Sequence, residues 1–204
     1  MDTSSLAALV LLGNPGSTYH RTRHNVARRL VDHASLAGIS WQGKFQSEVG
    51  EWSCAGSRIR VLVPDVYMNE SGRPVEAMRS FYKLTPPSIC VAHDDSELPI
   101  GVIGLRRGGG LAGHNGLKSV AKMIGSQEFW RLRIGVGRPV RGDLASHVLG
   151  NFAPLEEAWL QDIVDASVTL LQDACEHEVF ERVRGGSKLG KRFQRQVVIE
   201  QALS

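Results

Sequence analysis

Several of the commonest catalytic signatures are missing from this sequence. No G-x-S-x-G stretch occurs in its 204 residues, so the strained elbow that exposes a serine nucleophile above an α/β sheet is not encoded. No H-E-x-x-H occurs, and the seven histidines show no paired metal spacing, which removes the usual zinc-enzyme pattern. Cysteine is scarce: Cys54, Cys90 and Cys175 are odd in number and far apart in the chain. That fits reduced thiols in a cytoplasmic setting better than a disulfide framework. Long apolar runs are missing too. The opening MDTSSLAALVLLG has no basic region, and its apolar stretch is only as long as a strand. Neither a signal peptide nor a membrane span is expected.

What is abundant is glycine, above all in RRGGGLAGHNGLKS, residues 106–119. A phosphate-cradling P-loop needs glycine directly before its Lys-Ser pair, and here Leu117 intervenes. The dinucleotide fingerprint fails as well, because the first apolar run leads into Gly13-Asn14-Pro15-Gly16 and not into G-x-G-x-x-G. A flexible surface loop remains open, but the embedded His114-Asn115 pair argues against a pure spacer.

Hydrophobic content of 42% and charged content of 22% are ordinary for one globular domain. The formal charge of +3 is unevenly placed. Arg182, Arg184, Lys188, Lys191, Arg192 and Arg195 form a basic stretch without an acid, so the rest of the chain is net acidic. Such a tail contacts nucleic acid or stays solvated.

Residues 6–12 read as a buried strand, and Thr22 is placed to cap a helix running to Gly38. Residues 45–64 read as a hairpin around Gly56. Ser71 is placed to cap a helix through residue 84. Strands are expected at 88–95, 102–107 and 130–137, a helix after the glycine loop, and a long helix from Pro154 to about Phe180. The alternation implies an α/β fold: a single domain with a mixed, partly parallel, twisted sheet and helices on both faces. It spans residues 1–184, with 185–204 as a basic, mobile C-terminal tail.

Polar residues gather next to strand ends and helix starts: Asn14, His24-Asn25, Met68-Asn69, Asp94 and His114-Asn115. His24, near a helix start, suits a general base, and Asp94 suits the acid that orients one. The asparagines suit an oxyanion, a carbonyl or ribose hydroxyls. Taken singly, each of these residues also fits a surface, turn or cap position. The two acids of His93-Asp94-Asp95 could ligate magnesium, but a strand end with two acids is commonly a solvated turn.

Five segments, LLGNPGSTYHRTRHNVA, LVPDVYMNESGRPV, VAHDDSELPIG, GGGLAGHNGLKSV and RLRIGVGRP, resemble in this order the signatures of bacterial peptidyl-tRNA hydrolases. The match runs from about Leu9 to Phe152. The resemblance implies cleavage of the ester joining a peptide to tRNA, without metal or other cofactor. It implies that His24 activates a water and that Asp94 holds that histidine. Asn14 would distinguish blocked from free aminoacyl ends, while Asn69 and Asn115 hold substrate and water. Tyr19 and Tyr67 would lie near the acceptor end, and Arg106 and Arg133 would clamp the tRNA 5′-phosphate. It further implies a cytoplasmic protein acting in translation, with the peptide-bearing acceptor end of tRNA as partner; nothing in the sequence demands more than a monomer. Leu111-Ala112 depart from the polar-glycine pairs frequent in that family. A non-catalytic RNA-binding relative and a small-molecule esterase are the rival readings.

Overall fold

A computed structural model describes residues 5–177, 179–182 and 194–196. In chain order the strands are β1 (Ala8–Leu11), β2 (Gln42–Lys44), β3 (Ser47–Cys54), β4 (Ser57–Pro64), β5 (Ile89–Asp95), β6 (Val102–Arg107), β7 (Trp130–Gly135) and β8 (Gln194–Gln196). The α-helices are α1 (Gly72–Tyr82), α2 (Asn115–Ile124), α3 (Leu144–Leu149), α4 (Pro154–Glu157), α5 (Leu160–Glu176) and α6 (Val179–Arg182).

The strands form one mixed sheet in the order β2-β3-β4-β1-β5-β7-β6-β8. The centre is parallel: β1 pairs with β4 and β5, and β5 with β7. The flanks are antiparallel. The hairpin between β3 and β4 turns on Ala55 and Gly56, both with positive φ, the mirror-image turn whose twist suits paired strands.

The two-residue period of β1 divides the core. Leu9 and Leu11 pack with Val26, Leu30, Ile163, Val168 and Leu171 on one face. Ala8, Val10 and Leu12 pack with Val75, Met78, Leu117 and Val120 on the other. Apolar side chains on both faces explain the continuous hydrophobic run of β1 and the apolar start of β5, whereas β4 and β7 also carry arginines. The three cysteines, far apart in sequence, meet in or against the first of these clusters, and burial pushes the Cys90 thiol up to about 12.

Three helical expectations are revised. Residues 23–32 form a 3₁₀ helix rather than an α-helix, and the Thr22 hydroxyl donates to the Tyr19 carbonyl instead of capping it. Three residues per turn line up His24, Ala27 and Leu30 in one buried row. Ser71 is likewise no cap; its hydroxyl donates to the Met68 carbonyl. The long C-terminal helix is interrupted between α4 and α5. Glu156 and Glu157 are drawn to Arg23 and Arg29 at 2.6 and 3.2 Å, which docks the first turn separately. Most of the expected basic tail lies outside the described residues, although Gln194–Gln196 pairs antiparallel with β6. No helix among the described residues is long and apolar enough to cross a membrane.

Candidate active site

Strands β1 and β5 are adjacent and parallel, so the residues after their carboxyl ends meet on one edge of the sheet. Asp94 is 3% exposed there, and two imidazoles share its Oδ1. His24 Nδ1 lies at 2.7 Å and His114 Nε2 at 2.9 Å. Burial alone would raise the Asp94 carboxyl, but the contacts from His114 and His24 outweigh it and hold the group well below the usual carboxylate range.

The hydrogen bonds assign the tautomers. His114 caps α2, its Nδ1 accepting from the amides of Gly116 and Leu117 at 3.1 and 3.3 Å. That nitrogen therefore carries no proton, and Nε2–H donates to Asp94. His24 donates through Nδ1–H to the same carboxylate, which leaves its Nε2 lone pair as the basic end. Beside them His93 donates from Nδ1 to the Asp94 carbonyl at 2.7 Å. Its Nε2 is buried without a partner among the described residues. Burial, then His114, pushes His93 down to about 3.

Asn14 follows β1 and is held at three points. Its amide donates to Asn25 Oδ1 at 2.9 Å, and its carbonyl accepts from Asn25 Nδ2 at 2.8 Å. Its own Oδ1 accepts from the Met68 amide at 2.8 Å, so the side-chain NH₂ is the end left to donate. Asn69 and Asn115 are both exposed. A cavity of about 480 Å³ brings together Asn14, His24, Asn69, Asp94, His114 and Asn115, within the size range of small-ligand sites. Leu144, Val148 and Leu149 of α3 form an apolar wall to it.

The other residues named from sequence lie outside that lining. Tyr19 and Tyr67 meet edge to face with ring centroids 6.4 Å apart, next to Met68-Asn69 in the chain. Arg106 is exposed, and Arg133 Nε pairs with Asp95 Oδ2 at 2.6 Å. Arg131, opposite Arg106 in the sheet register, is 3% exposed. Its Nη1 donates to the Gly110 carbonyl at 2.7 Å, while Nε and Nη2 are buried without partners among the described residues. Burial, then Arg106 and Arg133, pushes this guanidinium down to about 10. The glycine loop thus lies on an arginine cluster. At Gly109, with φ +87°, an added Cβ would come 2.7 Å from Arg106 Nη2.

Sequence reasoning gave no role to His114, Asp95 or Arg131 and missed α3 altogether. The signal for α3 was local: Asp143 caps it, Oδ1 accepting from the Ser146 amide at 2.9 Å.

His24, Asp94 and His114 also bring three donor atoms within 4.8 Å of one another, a set of the kind that holds divalent metals. Ligation through His114 Nε2 would need a lone pair there, moving the proton to Nδ1 and breaking the α2 cap.

A family model described as peptidyl-tRNA hydrolase matches residues 8–192. The peptidyl-tRNA hydrolase of Geotalea daltonii is 45% identical over 166 residues, covering 80% of this chain and 87% of that protein. That of Synechococcus sp. is 44% identical over 172 residues, covering 82% and 76% respectively. The crystal structure of peptidyl-tRNA hydrolase from Acinetobacter baumannii superposes with a TM-score of 0.80 at 34% identity, covering 88% of this chain and 93% of that one.

Proposed function

Since the chain belongs to the peptidyl-tRNA hydrolase family, we propose that it cleaves the ester between a peptide and the terminal ribose of tRNA by a water that His24 activates, without a metal ion. The observation that carries this reading is the 2.7 Å contact of His24 Nδ1 with Asp94 in a cavity shared with three asparagines.

His24 Nε2 takes the proton from water as the oxygen attacks the ester carbonyl. The ionised Asp94 stabilises the imidazolium that forms, and the proton then passes to the leaving ribose hydroxyl. A general base supplies about 100- to 10,000-fold, enough for an ester when oxyanion donors add to it. The Asn14 NH₂ and the amides of Asn69 and Asn115 serve as those donors and as holders of the peptide. The capping tautomer of His114 supports the metal-free reading, because Nε2 is committed as a donor.

Tyr19 and Tyr67 flank the acceptor end, and Arg106 with Arg133 engages its 5′-phosphate. Arg133 spends Nε on Asp95 and keeps its terminal nitrogens for phosphate, while the buried charge of Arg131 raises the local potential. The protein acts as a cytoplasmic monomer, recycling tRNA from prematurely released peptidyl-tRNA.

The test is release of N-acetyl-amino acid from tRNA by the unaltered protein and by His24→Ala, with and without EDTA, at two salt concentrations. The expected result is loss of turnover in the variant, indifference to chelation, and a salt-dependent KM from the phosphate contacts. Tight tRNA binding without cleavage by the unaltered protein would favour an RNA-binding role. Equal cleavage of small esters without the tRNA body would favour an esterase.

A further inference from the structure

We propose that Asn25 is a positioning residue that fixes Asn14 for the substrate, a role that rests on the reading of Asn14 given above. Asn25 directly follows His24 and is 3% exposed. Its carboxamide spans the main chain of Asn14, accepting from N–H and donating to C=O at 2.9 and 2.8 Å. Asn14 stands beyond the last residue of β1, where no sheet ladder holds the backbone. The Asn25 side chain substitutes for the missing strand. A carboxamide offers a donor and an acceptor side by side, and both are used here.

Three further observations place Asn25 behind Asn14 rather than against the substrate. Asn25 is not part of the catalytic cavity's lining. It lines, with Asn14 and Arg28, a second cavity of about 460 Å³. The backbone before Asn14 packs closely on this clamp: a Cβ on Gly13 would lie 3.1 Å from Asn25 Cγ and 2.3 Å from Arg28 Cδ. Successive residues of one 3₁₀ turn therefore carry the base, His24, and the clamp of the amide it works with. That turn sets the spacing of His24 and Asn14 together, with Asn14 Oδ1 tied to the Met68 amide on its far side.

The experiment is steady-state hydrolysis of N-acetyl-aminoacyl-tRNA by Asn25→Ala, Asn14→Ala and the double variant, with thermal melts and pH profiles. Hydrolysis of the unblocked aminoacyl-tRNA is measured alongside. Displacing a substrate contact by a fraction of an ångström to an ångström costs about 10- to 100-fold, so kcat/KM of Asn25→Ala should fall by about that factor. Its preference for blocked over free substrate should drop toward that of Asn14→Ala, its acid limb should stay in place, and the double variant should be no worse than Asn14→Ala. Should Asn25→Ala lose its cooperative melt, Asn25→Ser, whose hydroxyl can replace one of the two bonds, is read in the same way. Unaltered kinetics in a folded Asn25 variant, additive losses, or a shifted acid limb that points to His24 instead would each overturn the positioning role. Full activity in Asn14→Ala would overturn the parent reading.

Discussion

Strand β5 ends in two neighbouring carboxylates, equally buried, whose surroundings differ in kind. On one side Asp94 meets two imidazoles at one oxygen. On the other Asp95 meets the Arg133 guanidinium and the Glu97 amide. A permanent cation pairs with Asp95. Imidazole donors satisfy Asp94 without cancelling its charge, and in the proposed mechanism that charge stabilises a proton arriving on His24. The difference teaches that burial does not single out a candidate catalytic acid; the titratable nature of its partners does.

The sharpest way to break this comparison is to remove one charge at a time. Asp94→Asn should lower kcat by about 100- to 10,000-fold, by misorienting His24 and leaving its imidazolium unsupported, and should also lower the melting temperature because two imidazole donors lose a charged acceptor. Asp95→Asn should spare the chemistry, keeping kcat within a few-fold while the unpaired Arg133 costs about 1–3 kcal/mol in a denaturant titration. Similar kinetic losses in the two variants would dissolve the distinction.

A second, smaller effect separates the same strand end by pH. His93 is held down to about 3, whereas an unfolded histidine titrates near about 6.5. Between these values the unfolded chain binds more protons than the folded one. Stability is therefore complete above the unfolded value and is lost as pH falls, by up to roughly 1.4 kcal/mol per unit. The depressed Asp94 carboxyl adds its own loss only below about 3.9. Melts at pH 7, 5.5 and 4.5 check this, and a flat melting temperature over that range would remove the His93 contribution.

The smallest effect concerns the loop facing these carboxylates. Ala112 has φ +47°, a left-handed conformation costing an alanine about 1 kcal/mol. Ala112→Gly should raise stability by up to that amount, less the extra unfolded-state entropy of glycine, with activity within two-fold. A loss of stability in a chemical melt would show that the loop does not need this backbone shape.

The central sheet was legible in the sequence because its strands are short, mostly apolar segments set between turn residues, with β1 an unbroken apolar run. Asn14, His24, Asn69, Asp94 and Asn115 were legible from their motifs, and they line one cavity. What escaped depended on contacts remote in sequence. Residues 23–32 have an apolar pattern compatible with an α-helix. Arg23 bonding the Asn151 carbonyl at 2.6 Å and Glu156 ties that turn to a segment no local pattern connects with it. His114 escaped for the opposite reason, since its two duties, capping and bonding Asp94, look in sequence like a single polar residue in a glycine loop.

That double duty has a practical consequence. The amides of Gly116 and Leu117 bond to one nitrogen of an imidazole whose other nitrogen bonds Asp94. Any event that changes the electronic state of the aspartate must be felt, one ring away, at the first turn of α2. Those two amide resonances are resident reporters of the site. Their chemical shifts and exchange rates allow occupancy and ionisation to be followed by NMR on the unlabelled substrate side, with no probe placed inside the cavity itself.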